Sequence, residues 1–239
     1  MNTNRLWCFG DSFTAGDGCI CSPKENPYSE ITKQYRAFLH KQDGEEILIY
    51  PEYVSNHFGL ELLNTASGGA SNEMILDSIF SNVHNIQKND YIIIGFSYFQ
   101  RFDVYIDNRF QPTNVNSIST TSDEQYINNH LTKQGLLEII NNRNNNAFKE
   151  RWIRQIKGLK YLLNGVCDNV CIWTHCDDFW DIANDLFLIP EPYTQFTKFM
   201  GDYNMAIMQE TNGMIADGHF GANAHKLWAD IIIKHFENE

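Results

Sequence analysis

Two short segments at opposite ends of the chain carry the residue types that acyl transfer needs. Near the start, Gly10-Asp11-Ser12 follows the apolar run Leu6-Trp7-Cys8-Phe9. A serine becomes a nucleophile when a strand end and a tight turn present its hydroxyl beside a base and backbone N–H donors. Near the end, Asp217-Gly218-His219 precedes a periodic apolar segment over 222–236. A histidine there can take the serine proton if a carboxylate fixes its tautomer. Both segments also have an ordinary reading. Gly, Asp and Ser are common turn and capping residues, and His219 suits the surface of a loop that opens a helix. His225 is a second imidazole, but it falls inside the expected helix.

These residues need a scaffold, and the hydropathy pattern supplies one. Apolar runs at 6–9, 60–63, 91–94 and 170–174 read as buried strands, with 214–215 as a short last one. Helical spacing marks 51–58, 73–86, 148–163, 194–211 and 222–236; Pro51 opens the first of these and Gly59 closes it. Segments 13–30, 65–72 and 176–193 read as loops. Strands alternating with helices imply an α/β domain with a mainly parallel central sheet. Ligands of such sheets bind at the carboxyl ends of strands, which singles out Gly10–Ser12, Asn64–Asn72 and Gly95–Tyr98. Residues 102–145 are rich in Asn, Ser and Thr and read as a surface insertion, with a helix near 128–140 and an exposed loop at 141–146. With no repeat and no linker, residues 1–239 are expected to form one domain.

Composition narrows the function classes. The chain has 239 residues, with 18 Lys+Arg against 30 Asp+Glu and a formal net charge of −12. That balance disfavours general nucleic-acid binding and docking on anionic membranes. No run of about 18 apolar residues suggests a membrane-spanning helix. The apolar stretch after Arg5 is too short for a secretory signal, so a cytoplasmic or particle-associated location is expected. Cys8, Cys19, Cys21, Cys167, Cys171 and Cys176 match no trusted zinc spacing. They read as free structural thiols, with a disulfide among the first three or a metal site as lesser readings.

In order along the chain, four blocks resemble those of the SGNH (GDSL-type) hydrolases, over most of its length apart from 102–145. Phe9-Gly10-Asp11-Ser12-Phe13-Thr14-Ala15-Gly16 would make Ser12 the nucleophile. Leu63-Asn64-Thr65-Ala66-Ser67-Gly68-Gly69-Ala70-Ser71-Asn72 would give the Gly69 N–H to the oxyanion, beside that of Ser12. Asp217-Gly218-His219-Phe220-Gly221-Ala222-Asn223-Ala224-His225 would make His219 the base. Two departures stand out. The third block, usually Gly-x-Asn, reads Gly95-Phe96-Ser97, which puts Ser97 at the position of an oxyanion donor. The acid usually stands three residues before the base, where this chain has Ala216; Asp217 stands two before. That shorter spacing occurs in superfamily members acting on acetylated polysaccharides, so the resemblance implies Asp217 as the orienting acid, with a Ser12–His219 dyad as the fallback. It further implies a three-layer α/β/α sandwich of flavodoxin-like type, and a serine esterase that removes short acyl groups such as acetyl from carbohydrate without a metal or organic cofactor. The expected partner is a small-molecule or glycan ester. A glycan-binding module without turnover and an O-acyltransferase using the same serine are the alternatives.

Further residues have more than one use. Asp11, Tyr98 and Arg101 are candidate substrate contacts, and Arg101 equally suits an ion pair with Asp103. Phe96, Tyr98, Phe99 and Trp173 suit core packing, or an acyl or sugar pocket. Asp177, Asp178 and Asp181 read as a solvated loop rather than a Ca²⁺ site. His40, His57, His84 and His130 read as surface residues.

Overall fold

The structure is a computed structural model that describes residues 4–16, 48–99, 101–106, 109–113, 138, 141–142, 146–183, 185–189, 193, 196–202, 205–210 and 213–238. Four parallel strands form the central sheet in the order β2-β1-β3-β6: β1 (Arg5–Gly10), β2 (Glu61–Asn64), β3 (Tyr91–Phe96) and β6 (Asn169–Thr174). Side chains alternate across a strand, and each face has its own core. Leu6, Cys8, Ile93, Cys171 and Trp173 face α2 (Tyr50–Phe58) and α7 (Ala222–Glu237). Trp7, Phe9, Ile92, Ile94, Phe96, Val170 and Ile172 face α3 (Asn72–Asn82) and α4 (Asn146–Asn164). Strands buried on both faces explain the unbroken apolar runs, and the layering is the expected α/β arrangement with a mainly parallel sheet.

The helices start and stop where local chemistry dictates. Pro51 lies in the first turn of α2, Glu52 Oε2 accepts the Ile49 N–H at 2.9 Å, and Gly59 closes the helix at φ 65°. Ser71 caps α3 by accepting the Met74 N–H at 3.1 Å. A 3₁₀ turn at Val83–Asn85 ends that helix earlier than its apolar spacing suggests. On α4, Trp152, Ile156, Leu159 and Leu163 are all buried, as their spacing predicts.

At the amino end of the sheet, the buried Asp90 carboxylate accepts from Arg5 Nη2 at 2.7 Å, Trp7 Nε1 at 3.0 Å, and the amides of Arg5 and Gln87. Burial alone would push this carboxyl up. The hydrogen bonds outweigh burial and hold it below its ordinary value.

Several local expectations are revised. The stretch 13–30 does not begin as a loop: Ser12–Ala15 form a single helical turn, α1, while 17–47 lie outside the described residues. Within the stretch read as a loop, Asp177–Ile182 form a short helix, α5. The helix expected over 194–211 is only α6 (Phe196–Asp202); β7 (Met205–Glu210) follows and pairs antiparallel with β8 (Gly213–Phe220). A run such as Met205-Ala206-Ile207-Met208 satisfies either period, and here strand pairing prevails. The segment 102–145 opens with a hairpin of β4 (Phe102–Ile106) and β5 (Arg109–Thr113). The helix expected near 128–140 falls almost entirely outside the described residues.

Cys8, Cys167, Cys171 and Cys176 are buried thiols outside any disulfide, and Cys19 and Cys21 lie outside the described residues. Burial pushes the Cys167 thiol up to about 11, which keeps it protonated and unreactive. Among the described residues no helix is long and apolar enough to cross a membrane.

Candidate active site

Ser12 sits where β1 meets α1, at the carboxyl edge of the sheet. Asp11 takes an extended conformation (φ −99°, ψ −154°) and caps the turn. Its Oδ1 accepts the Phe13 N–H at 3.1 Å, and its carbonyl accepts those of Thr14 at 3.1 Å and Ala15 at 2.9 Å. Gly16, at φ 83°, closes the turn by donating to the Ser12 carbonyl at 2.9 Å. None of these bonds uses the Ser12 amide. The Ser12 side chain is largely buried, and its hydroxyl makes no hydrogen bond among the described residues.

Two glycines seat this turn on the sheet. Gly10 and Gly95 are register partners across β1 and β3. A Cβ on Gly10 would lie 2.2 Å from Thr14 Oγ1; one on Gly95 would lie 2.6 Å from the same atom and 2.9 Å from the Trp173 ring. Thr14 therefore occupies the space that both leave. The Tyr50 hydroxyl donates to Thr14 Oγ1 at 2.8 Å, and Asn64 Nδ2 donates to the Thr14 carbonyl at 3.0 Å. Burial pushes the Tyr50 hydroxyl well above its ordinary value, so it stays protonated.

The loop after β2 is stitched to the same edge. Thr65 N–H donates to the Cys8 carbonyl at 2.9 Å and Ser67 N–H to the Gly10 carbonyl at 3.1 Å. Gly69 lies two residues further on, half-buried, at φ 76°, a conformation that favours glycine. After β3, Ser97 is held by Asn72: Ser97 N–H donates to Asn72 Oδ1 at 2.8 Å, and Asn72 Nδ2 donates to the Ser97 carbonyl at 3.0 Å. Ser97 is fully buried, and its hydroxyl has no hydrogen bond among the described residues.

Arg101, Asp11 and Tyr98 meet at this edge. Arg101 Nη1 donates to Asp11 Oδ2 at 2.9 Å and lies 3.5 Å from the Ala70 carbonyl oxygen. The guanidinium also stands over the Tyr98 ring, 5.8 Å from its centroid. Asp11 is 1% exposed, so its carboxylate serves the protein's own interior. Tyr98 is 40% exposed, whereas Phe96, Phe99 and Trp173 are buried and take the core-packing role.

The base candidates lie beside Phe13 and Tyr50. His219 is the penultimate residue of β8, beside α1, and its ring centroid is 5.2 Å from that of Phe13. The β7–β8 ladder shifts register between Met205↔Phe220 and Ile207↔Ala216, so Asp217–His219 occupy an irregular stretch of strand. Such irregularities re-aim side chains and often stand next to active sites. The Asp217 side chain lies outside the described residues. His225, in the first turn of α7, is fully buried and accepts the Tyr50 N–H on Nδ1 at 3.2 Å, which leaves its proton on Nε2. Burial, followed by the charge on nearby His219, pushes His225 down to about 3.

One residue went unassigned in the sequence. His175 follows β6, is buried among Phe13, Tyr98, Trp173 and Phe196, and places Nε2 3.5 Å from Asp11 Oδ2. Burial pushes it down to about 4, opposed by Asp11 and Asp177 and reinforced by Arg101 and His219. Its position directly after an apolar strand, at the carboxyl edge, was the available signal. Asp177 accepts the Phe196 N–H and so ties α5 to α6. Of the expected surface histidines, His57 is exposed and lies 3.1 Å from Glu237, and His84 is exposed. His40 and His130 lie outside the described residues.

No family model matches the chain, and no curated protein matches it. Among solved structures it is similar to a carbohydrate esterase whose active site is described as displaying divergent catalytic and non-catalytic binding functions. That similarity has a TM-score of 0.45 at 15% identity and covers 100% of this chain and 70% of that one. A likeness of that degree assigns neither family nor activity.

Proposed function

We propose that the chain is a serine esterase of the SGNH (GDSL-type) class that removes short acyl groups, such as acetyl, from carbohydrate through an acyl-enzyme. One observation carries this reading. Ser12 stands at the carboxyl edge of the sheet on a capped turn, and its neighbour Phe13 packs against His219. The two candidates, more than two hundred residues apart in the chain, thus have Phe13 as a common neighbour, which supports pairing them.

In the proposed reaction, His219 takes the Ser12 proton as Oγ attacks the ester carbonyl, and Asp217 orients the imidazole. The oxyanion lies among the N–H groups of Ser12 and Gly69, with the Ser97 hydroxyl as a third donor. The C–O bond to the sugar breaks, and the leaving alkoxide takes the proton from His219. Water then repeats the sequence on the acyl-enzyme, releasing the carboxylic acid and restoring Ser12. No cofactor takes part.

A second reading, a non-catalytic glycan-binding module, draws support from the complete burial of Ser97, which departs from the family pattern. Hydrolysis of p-nitrophenyl acetate separates the two. The esterase reading expects turnover by the wild type and its loss in both Ser12→Ala and His219→Ala. Equal rates in all three proteins, or none in any, support the binding module.

A further inference from the structure

Asp11, Arg101 and His175 form a cluster that the proposed reaction does not itself use. Asp11 faces inward, with two oxygens and two distinct jobs. Oδ1 caps α1 through the Phe13 amide. Oδ2 receives Arg101 at 2.9 Å, with His175 Nε2 at 3.5 Å. All three side chains are removed from solvent: 1% exposed for Asp11, 15% for Arg101 and 0% for His175. A buried carboxylate needs a charged partner, and a charge-assisted bond fixes its direction closely. Arg101 also reaches the Ala70 carbonyl, next to Gly69. One guanidinium thereby links the segments that follow β1, β2 and β3. His175 fills the remaining side, its ring 4.5 Å from Phe13, and neither of its nitrogens has a hydrogen bond among the described residues.

We propose that Arg101 is a positioning residue for Ser12. It acts through Asp11, whose carboxylate it holds in the one orientation that caps α1. The catalytic consequence rests on the serine-esterase reading; the cap itself does not. Arg101 reaches Ser12 only through Asp11, so losing Arg101 after Asp11 has already been changed should matter little. A direct substrate contact would behave otherwise, because its effect would multiply with that of Asp11 and fall on KM.

The test is a double-mutant cycle of Arg101→Gln and Asp11→Asn, with Arg101→Lys as the conservative variant and His175→Phe as an aromatic filler lacking Nε2. Two quantities are read: the rate at which a fluorophosphonate labels Ser12, and amide exchange at Phe13, which reports the cap whether or not the serine turns over. Arg101→Gln is expected to slow labelling about tenfold or more, since small misplacements of a nucleophile have effects of that size. It should lower kcat for p-nitrophenyl acetate with KM within about twofold, and speed Phe13 exchange about tenfold, on the scale of one lost cap. Arg101→Lys should recover part of each, and His175→Phe, which removes no hydrogen bond to Asp11, should stay close to wild type. The double variant should be no slower than the worse single variant, the non-additivity expected of coupled neighbours. Unchanged Phe13 exchange in Arg101→Gln overturns the proposal. So do multiplicative labelling effects accompanied by a raised KM, which would place Arg101 on the substrate. If the wild type is not labelled at all, the esterase reading fails, and Phe13 exchange alone decides the positioning role.

Discussion

Gly10 and Gly95 are partners across β1 and β3, and the Thr14 side chain fills the space above both. Two blocks that the sequence offers as separate motifs are thus two walls of one socket. Thr14 is the peg in that socket, and Ser12 rides on the turn that carries it.

Closing the socket should unseat the turn. Gly95→Ala would set a methyl 2.6 Å from Thr14 Oγ1 and 2.9 Å from Trp173. Overpacking of this kind costs about 1–3 kcal/mol, read as a lowered urea midpoint. The same change in a Thr14→Ala background should cost less, because one of the two clashes is gone. Equal costs in both backgrounds would mean that Thr14 is not the peg.

Asn72 is expected to be a structural anchor of the β3 exit. Its amide satisfies both the N–H and the carbonyl of Ser97. Asn72→Ala leaves both groups buried and unpaired, at about 1–3 kcal/mol each. Asn72→Asp keeps an acceptor for the N–H but buries a carboxylate without a charged partner, so it should also destabilise at pH 7 and regain stability relative to Asn72→Ala as acid protonates it. Urea midpoints of the wild type and both variants check this, and a wild-type midpoint in Asn72→Ala would contradict the clamp.

Ser97→Ala separates stability from catalysis. The hydroxyl is buried without a hydrogen bond among the described residues, so its removal should leave stability unchanged or slightly raised. If Ser97 donates to the oxyanion, kcat should nevertheless fall by about tenfold or more, with KM little altered. Stability and kcat both unchanged would remove Ser97 from the mechanism.

Acid should destabilise the fold well above the carboxylate range. His175 is pushed down to about 4 and His225 to about 3, from an ordinary value of 6.5. Between those values and 6.5 the unfolded chain binds more protons, so stability rises with pH across that window and falls as pH drops through it. Each imidazole contributes a slope of up to about 1.4 kcal/mol per pH unit there. The bonded Asp90 acts lower: held below its ordinary 3.8, it stabilises above that value, and this contribution is lost as pH falls through the lowered one. Urea midpoints from pH 7 to 4 should fall steadily, and less steeply in His175→Phe. An unchanged slope in that variant would mean that His175 is protonated in the folded chain.

β1, β3 and β6 were legible because they are buried on both faces: Ile92-Ile93-Ile94 reads as a strand whichever side is considered. The helices α4 and α7 were legible from one apolar stripe each. The β7–β8 hairpin was not, since Met205–Met208 fits a helix or a strand until its partner is known. Within the site, Ser12, Gly69, Ser97 and His219 could be named because short blocks surround them. Asp11–Arg101 spans ninety positions and His175 lies farther still. Such pairs are set by strand order, which adjacent residues do not encode. Asn72 was visible only as the end of a glycine-rich loop, with nothing nearby to show that its amide turns toward Ser97.

Labelling with a fluorophosphonate, with the adduct located by peptide mass spectrometry, tests the central claim most directly. The account predicts a single adduct on Ser12, absent in Ser12→Ala and formed much more slowly in His219→Ala. No adduct on the wild type, or equal labelling of Ser12→Ala, would contradict it.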